Sequence, residues 1–342
     1  SGPMPLTRFE TTRAGRWVIR PMRPGDAAPL WHRRNDPDTA RFQDWITPYP
    51  RQAAEELVAA VVALDGVPPA NGWFQLAIDD AESGEPVGDL AIGLSFDGRS
   101  AELGYTVDPP ARGHHIATDC SARVARWLFD VVQVSRVGAQ MHPDNHASAR
   151  VAERIGMLHE GTTRRSFWVG GENSDNVLYG MTRDGWIAWT DRDRQPPDRI
   201  RLVDIVPRNL AEVLALRPHR TQQRLVSPVA EWFATVYAPG DRTPWLAAIE
   251  ADGRIVGALL MALPGDDGTA VLWRLLVDRT HQGRGVGQLA LDLAIERARS
   301  WRASSLSLTW CDLPGHAGEW YERRGFVRTG SAGSEISALL AL

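Results

Sequence analysis

The chain has 342 residues, with 42 acidic and 38 basic side chains, and every basic one is arginine because the sequence contains no lysine. At roughly 150 residues per domain, this length favours two domains that each bury a core of their own. The missing lysine excludes P-loop NTPases, protein kinases and pyridoxal phosphate enzymes, which need a lysine at the reacting centre. With a net charge of −4, neither nucleic acid nor an anionic membrane is expected as a partner.

The expected compartment is the cytoplasm. Two cysteines, Cys120 and Cys311, cannot frame a disulfide scaffold in a chain of this length. The longest apolar run, 57–64, is far shorter than the roughly 20 residues that span a bilayer, and no secretory signal pattern opens the chain.

In chain order, the first half has the pattern of a mixed α/β domain. Alternating apolar residues predict strands at 17–20, 74–78, 86–96 and 101–107, and helical spacing predicts helices at 25–34, 51–64 and 121–132. Between the last strand and the last helix stands the segment Arg112-Gly113-His114-His115-Ile116-Ala117.

The second half repeats this order at an offset of about 170 residues. Strands are predicted at 245–249, 255–263 and 271–277 and a helix at 288–301, with the segment Gln282-Gly283-Arg284-Gly285-Val286-Gly287 between the last strand and the helix. Val107 and Val277 precede the two segments at the same distance. We interpret the chain as two copies of one domain, 4–189 and 199–342, joined by the charged, proline-containing linker 190–198.

A glycine-rich segment between a strand and a helix is suited to binding a phosphate. It points backbone N–H groups at one spot, where the helix dipole favours an anion, and glycine lets the phosphate approach without a Cβ in the way. The segment from Gln282 to Gly287 has this form. Taken alone, however, the string is explained equally well by an ordinary tight turn.

The residues around this segment resemble a known family. The run 272–278, the segment 282–287 and the motif Trp320-Tyr321-Glu322-Arg323-Arg324-Gly325-Phe326 are similar to the GNAT superfamily of acyl-CoA-dependent N-acyltransferases. The first copy resembles the branch that acetylates ribosomal-protein N-termini, through 102–105, 117–119 and 145–148. The second copy resembles the diamine (spermine/spermidine) acetyltransferase branch. The resemblance implies two tandem GNAT domains, each an α/β (α+β) mixed sheet.

The resemblance further implies an acetyl-CoA-dependent N-acetyltransferase that acts on a primary amine of a small molecule by direct attack on the thioester. Backbone N–H groups of 282–287, helped by Arg284 or Arg112, would hold the pyrophosphate, and pantetheine would pair along Val277. Tyr321 would be the acid that protonates the leaving thiolate. A tyrosine at this spacing in an unrelated protein is more often a core aromatic.

The first copy departs from the family pattern at two positions. His115 stands where the second copy has Gly285, and its ring either narrows the pocket or donates to the phosphate. Ala152 stands where the second copy has Tyr321. We therefore expect the chemistry mainly in the second copy. The adjacent His114 and His115 have no third ligand at suitable spacing, so no metal is expected.

Three further residues of the first copy are candidates for its site. Asn145 and Ser148 match positions that approach the cofactor in relatives. Glu102 is either a base that deprotonates the amine or a solvated strand carboxylate. The second copy has Leu272 at the position aligned with Glu102, so a base there must come from elsewhere.

The sequence does not decide which amine is the acceptor or which of the two copies catalyses the transfer. Glu231 matches an acidic position of the diamine branch, although a solvent-facing helix position explains it equally well, and aminoglycosides, amino sugars and amino-acid derivatives are alternative acceptors. Both domains acting on different amines and a non-catalytic acyl-CoA-sensing scaffold are the alternative functions. A dinucleotide site is disfavoured because a Rossmann unit has its loop after the first strand. The oligomeric state stays unknown.

Overall fold

The computed structural model describes residues 7–313 and 316–342, so residues 4–6 of the predicted first domain lie outside the described part. The chain divides into two compact units, 1–191 (unit 1) and 192–342 (unit 2). Each unit has its own mixed sheet with helices on both faces, and the predicted α/β class is confirmed. In the described residues, no helix combines the length and apolarity that crossing a bilayer requires.

Unit 1 is built on an eight-stranded sheet. Its strands are β1 (Thr12–Ala14), β2 (Trp17–Pro21), β3 (Trp73–Asp80), β4 (Pro86–Leu94), β5 (Ser100–Val107), β6 (Arg136–Met141), β7 (Leu158–Val169) and β8 (Glu172–Thr182). Its helices are α1 (Ala27–Asn35), α2 (Pro37–Ala40), α3 (Arg51–Ala63), α4 (Ile116–Trp127), α5 (His146–Arg154) and α6 (Arg183–Thr190). The strand order is β1-β2-β3-β4-β5-β6-β8-β7.

Unit 2 repeats this plan on a seven-stranded sheet. Its strands are β9 (Ile200–Val203), β10 (Pro244–Ala251), β11 (Arg254–Ala262), β12 (Thr269–Val277), β13 (Ser305–Cys311), β14 (Val327–Ala332) and β15 (Glu335–Ala341). Its helices are α7 (Pro207–Ala215), α8 (Val229–Tyr237), α9 (Val286–Ser300) and α10 (Gly318–Glu322). The strand order is β14-β15-β13-β12-β11-β10-β9.

In both units, a pair of parallel strands separates part-way along its length. β5 pairs with β6 only over Ser100–Glu102, and β12 pairs with β13 only over Thr269–Leu272. The rest of β5 and β12 runs on to the glycine-rich segment without a partner on that side. Unpaired backbone N–H and C=O groups at such an edge are free to bond another extended chain. The fold therefore opens a gap in each sheet beside the segment singled out from the sequence.

The two faces of each sheet are covered by different helices. In unit 1, Leu103 packs in one core cluster with Ile116 and Val124 of α4, whereas Ala77 packs in another with Leu30 of α1. Because successive strand residues face opposite sides, the β5 positions between the α4-facing ones face α1 and α3. In unit 2, α9 takes the place of α4, and α7 with α8 covers the opposite face.

The helix predicted at 121–132 begins five residues earlier than its apolar pattern suggests. α4 starts at Ile116, directly after the glycine-rich segment, and its regular part ends at Trp127. The first turn carries Ala117, Thr118 and Asp119, whose small or polar side chains hide the helical period. Because of this early start, the segment itself forms the helix N-terminus.

Candidate functional site

The two glycine-rich segments adopt the same backbone conformation. Gly283 and Gly285 both have φ of 79°, and their counterparts Gly113 and His115 have φ of 85° and 59°. The first helical hydrogen bonds that follow are Leu289 N to Gly285 O in unit 2 and Asp119 N to His115 O in unit 1. The N–H groups that precede these donors have no acceptor within the helix, so they point out of the helix end. Each unit thus presents an anion-binding turn.

Space for an anion is open above these turns. A Cβ built on Gly113, Gly283 or Gly285 would meet no heavy atom within 4 Å. The segments are therefore glycine-rich without being tightly packed, which is what a phosphate approaching the backbone requires. Both the backbone N–H donors of the turns and the free space above them therefore suit the pyrophosphate of a CoA-type ligand.

The side chains of Arg112 and Arg284 hold the segments in place. Arg112 Nε donates to Val107 O at 3.2 Å, and Gln282 Nε2 donates to Val277 O at 3.0 Å, so each segment is tied to the last residue of its strand. The Arg284 side chain is 5% exposed; it donates to Gln195 O at 2.7 Å and to Asp193 at 2.6 Å. The Arg284 guanidinium is thus committed within unit 2, and only its backbone N–H remains for a ligand.

The gap between β12 and β13 holds a cavity of about 450 Å³. Tyr321 lines this cavity, and its ring packs against those of Trp310, Trp320 and Phe326. Burial raises the pKa of the Tyr321 hydroxyl to about 12. At neutral pH the phenol is therefore protonated, which is the state that a proton donor needs.

A β-bulge interrupts β12 at the middle of this cavity. Leu260 pairs with Arg274 and Met261 pairs with Leu272, so Trp273 is the extra residue. A bulge leaves its extra residue out of the ladder and re-aims the local backbone. Trp273 lines the cavity, and so do Val277 and Gln282. In unit 1, β4 and β5 pair without a register shift from Gly88 and Val107 to Leu94 and Ala101.

The corresponding cavity of unit 1 measures about 500 Å³. Val107, Asn145 and Ser148 line it. The glycine-rich segment contributes five more lining residues: Arg112, Gly113, His115, Ile116 and Ala117. Asn145 caps α5 by accepting from Ser148 N at 3.2 Å. Tyr105 donates from its hydroxyl to Ser148 O at 2.7 Å. Ala152, which stands in the place of Tyr321, is buried and brings no polar group.

Glu102 lies in a different cavity, of about 300 Å³, on the α1 and α3 face of the sheet. Burial raises the pKa of its carboxyl, and Gln140 Nε2 donates to it at 2.8 Å. Across the strands, Glu102 pairs with Gly93, and Gly93 pairs with Trp73. A Cβ on Gly93 would lie 2.7 Å from Trp73 Cε2, so the indole lies directly over this glycine. The carboxylate is thus reachable beside an aromatic wall.

Comparison with known families agrees with this arrangement in both halves. Residues 16–158 match a family described as "Acetyltransferase (GNAT) domain", and residues 211–326 match one described as "Acetyltransferase (GNAT) family". The two matches together span more than half of the chain. The chain belongs to the GNAT acetyltransferases. It is therefore an acyltransferase of a family that uses acetyl-CoA as the acyl donor, and the predicted tandem GNAT organisation is confirmed.

Named relatives of this GNAT protein include two from Bacillus subtilis (strain 168). The putative ribosomal N-acetyltransferase YdaF is 32% identical over 88 residues, 26% of this chain and 48% of the relative. The chain thus spans about half the length of that relative. The uncharacterized N-acetyltransferase YoaA is 22% identical over 176 residues, 51% of this chain and 98% of the relative. Among solved structures, the ribosomal-protein-S5-alanine acetyltransferase from Vibrio fischeri has a TM-score of 0.46 at 19% identity, covering 52% of this chain and 99% of that chain.

In this GNAT protein, several predicted residues line the cavity of their own unit, whereas Glu102, Glu231 and His114 do not. Val277, Gln282 and Tyr321 line one cavity of unit 2. Glu231 is exposed in the first turn of α8 and does not line that cavity. His114 is exposed beside the unit 1 turn. Among the described residues, no group of three or more His, Cys, Asp or Glu side chains is arranged to hold a metal ion.

The alignment of Glu102 with Leu272 is wrong. Glu102 pairs with Gly138 on β6, and the residue in that place of unit 2 is Val271, which pairs with Ser307. The bulge at Trp273 adds one residue to β12, which shifts the sequence offset within the strand. The sequence did not predict the bulge at Trp273 or the stacking of Trp73 over Gly93, because neither a bulge nor a ring stacked on a distant glycine leaves a local pattern.

His115→Gly is expected to tighten CoA binding to unit 1 by about tenfold, or about 1.4 kcal/mol. His115 is exposed and occupies the turn position of Gly285, where glycine lets a phosphate approach the backbone without a Cβ in the way. Isothermal titration of CoA into a Gly285→Asp background, which places a carboxylate in the unit 2 cradle, isolates the unit 1 site. Weaker binding after His115→Gly would show instead that the ring donates to the phosphate.

Proposed function

We propose that this protein transfers the acetyl group of acetyl-CoA to a primary amine of a small molecule, with the chemistry mainly in unit 2. One observation carries the division between the units: the cavity of unit 2 combines Tyr321 with a β-bulge, whereas unit 1 has Ala152 and an unbroken strand at those places. Both units have the anion-binding turn. Only unit 2 has the proton donor Tyr321 and the bulged backbone at Trp273.

In unit 2, different residues bind different parts of the acyl donor, acetyl-CoA. The backbone N–H groups of 283–287 hold the pyrophosphate, and the unpaired edge of β12 near Val277 holds the pantetheine. When bound, acetyl-CoA supplies an activated acetyl group. The bulge takes Trp273 out of the ladder with β11, and a backbone N–H freed there would stabilise the negative charge that develops on the thioester oxygen.

Proton transfer in unit 2 uses groups that line the same cavity. Tyr321 is protonated at neutral pH and gives its proton to the departing thiolate sulfur. The attacking amine must be neutral, so its own proton goes to water or to a group of the cavity that can accept it, of which His316 and Glu335 are two. His316 Nε2 lies 3.3 Å from Asp312 Oδ1.

A second candidate function is transfer by unit 1 to a different amine. Glu102 favours it, because a carboxylate whose pKa is raised by burial is a better base than an exposed one. The same face carries Trp73, which can stack against a cationic amine before that amine loses its proton. Because unit 1 has Ala152 in the place of Tyr321, water would protonate the thiolate there.

The test is release of free CoA thiol from acetyl-CoA, measured with a thiol reagent over a panel of primary amines. The proposed function predicts amine-dependent release that follows saturable acetyl-CoA binding. Binding without release for any amine would favour the acyl-CoA-sensing alternative. Comparing Glu102→Gln with the wild type assigns each amine to a unit, since only amines handled by unit 1 lose turnover.

A further inference from the structure

The amine-facing side of the unit 2 cavity carries arginine, which bears on the class of acceptor. Leu275 and Val277 of β12 pack in a cluster with Val286 of α9. Leu276 packs instead with Val213 of α7 and Trp232 of α8. Strand residues two apart share a face, so Arg274 lies on the α7 and α8 side with Leu276. The anion-binding turn leads into α9, so Arg274 lies on the face away from that turn.

Arg274 is placed to meet a ligand. It is exposed, and it lines the cavity together with Arg224 from the segment before α8. Its Nη1 donates to Trp273 O at 2.9 Å, and within residues 7–313 and 316–342 it forms no ion pair with a carboxylate. A guanidinium offers paired N–H groups whose spacing matches the two oxygens of a carboxylate.

The other charged groups of the cavity do not cancel this charge. Glu335 lines the cavity from β15, opposite Cys311, and His316 is paired with Asp312. Two arginines thus face one carboxylate and one histidine. A polyamine entering from this side would place a second ammonium beside Arg274, and like charges at close range disfavour binding.

Unit 1 lacks this arginine and carries a carboxylate at another position of the same sheet face. Arg274 pairs with Leu260 where Gly104 pairs with Ala91, so unit 1 has glycine in place of the arginine. Unit 1 instead carries Glu102 on this face, where unit 2 has Val271. The two copies share the phosphate turn and differ in charge on the opposite face. Because Arg274 belongs to the part that differs between the copies, we assign it to binding the acceptor of unit 2. The acyl donor would instead be bound by the turn that both units share.

We propose that unit 2 acts on amines that carry a carboxylate, held by Arg274 with Arg224, and not on polyamines. The inference rests on the proposed acetyl transfer in unit 2. It replaces the diamine acceptor that Glu231 suggested, since Glu231 lies outside the cavity while the arginines lie within it.

The test compares matched acceptors: ω-amino acids of two to six carbons, their carboxamides, and the diamines of the same length. The amino acid is expected to exceed its carboxamide by about tenfold or more in kcat/KM, the effect of a hydrogen bond to a charged group. In Arg274→Gln, the kcat/KM of the amino acid is expected to fall to within about twofold of that of its carboxamide. The loss is expected as a higher KM for the amino acid, while KM for acetyl-CoA stays unchanged. Arg299→Gln, at an exposed arginine of α9 outside the cavity, should keep the preference.

The possible failures are separable. Preferred turnover of diamines or carboxamides would overturn the carboxylate proposal while leaving acetyl transfer intact. An unchanged acid preference in Arg274→Gln would overturn it as well. A rise in KM for acetyl-CoA instead of the acceptor would assign Arg274 to the donor and contradict the proposal. Absence of CoA release from every amine would overturn both the proposal and the function on which it rests.

Discussion

Tyr321→Phe lowers turnover by about 100-fold, near the lower end of what a positioned acid contributes, and leaves acetyl-CoA affinity within about twofold of the wild type. Phenylalanine keeps the packing against Trp310, Trp320 and Phe326 and removes only the hydroxyl. Because the Tyr321 pKa of about 12 keeps that hydroxyl protonated at neutral pH, the substitution removes a proton donor without removing a charge. Steady-state CoA release and isothermal titration of acetyl-CoA measure the two effects separately.

The matched control is Tyr237→Phe. Tyr237 belongs to the same unit, is 91% exposed and does not line the cavity, so the same chemical change there should leave turnover unchanged. Equal turnover in Tyr321→Phe and wild type would contradict the role of Tyr321 as the acid. The ring would then be a packing residue of the α10 region only.

Arg33→Met is expected to destabilise unit 1 by about 3–5 kcal/mol, the usual cost of breaking a buried ion pair from one side. The Arg33 side chain is 3% exposed, and it donates to Asp89 at 2.5 Å and to Asp108 at 2.6 Å. Methionine fills much of the same volume but leaves Asp89 buried without its cation. Because Asp108 directly follows β5, the substitution should also loosen the anion-binding turn of unit 1.

Native-state hydrogen exchange of the full chain measures this loss in unit 1 while unit 2 serves as an internal reference. The matched control is Arg51→Met, which breaks an exposed ion pair with Glu55 on α3 and should change stability by less than about 0.5 kcal/mol. Unchanged protection of α1, β4 and β5 in Arg33→Met would show that the Asp89 carboxylate is solvated without arginine.

The repeat and the phosphate turns were predictable from the sequence because their causes are local. Strands, turns and the glycine positions each follow from a few neighbouring residues, and recurrence at about 170 residues strengthened every one of them. His115 could be placed in the turn for the same reason. Its φ of 59° is left-handed, like the φ of 79° at Gly285, the residue with which the sequence aligns it.

Other features of the two sites were not predictable, because they depend on contacts between distant residues. The guanidinium of Arg284, which was expected to help hold the pyrophosphate, is buried against Asp193 and Gln195, 91 and 89 residues earlier in the chain. The bulge at Trp273 follows from the register between β11 and β12. The site of Glu102 depends on Trp73 lying over Gly93. Neither single-residue propensity nor periodicity carries this information.

The most direct measurement is the turnover of two matched variants, Gly285→Asp and His115→Asp, with the amine that the wild type prefers. Each places a carboxylate in one anion-binding turn, and aspartate tolerates the left-handed backbone that both positions adopt. We expect Gly285→Asp to lose at least about 90% of CoA release through repulsion of the pyrophosphate, and His115→Asp to keep most of it. Loss of turnover in His115→Asp, with turnover retained in Gly285→Asp, would contradict the assignment of the chemistry to unit 2.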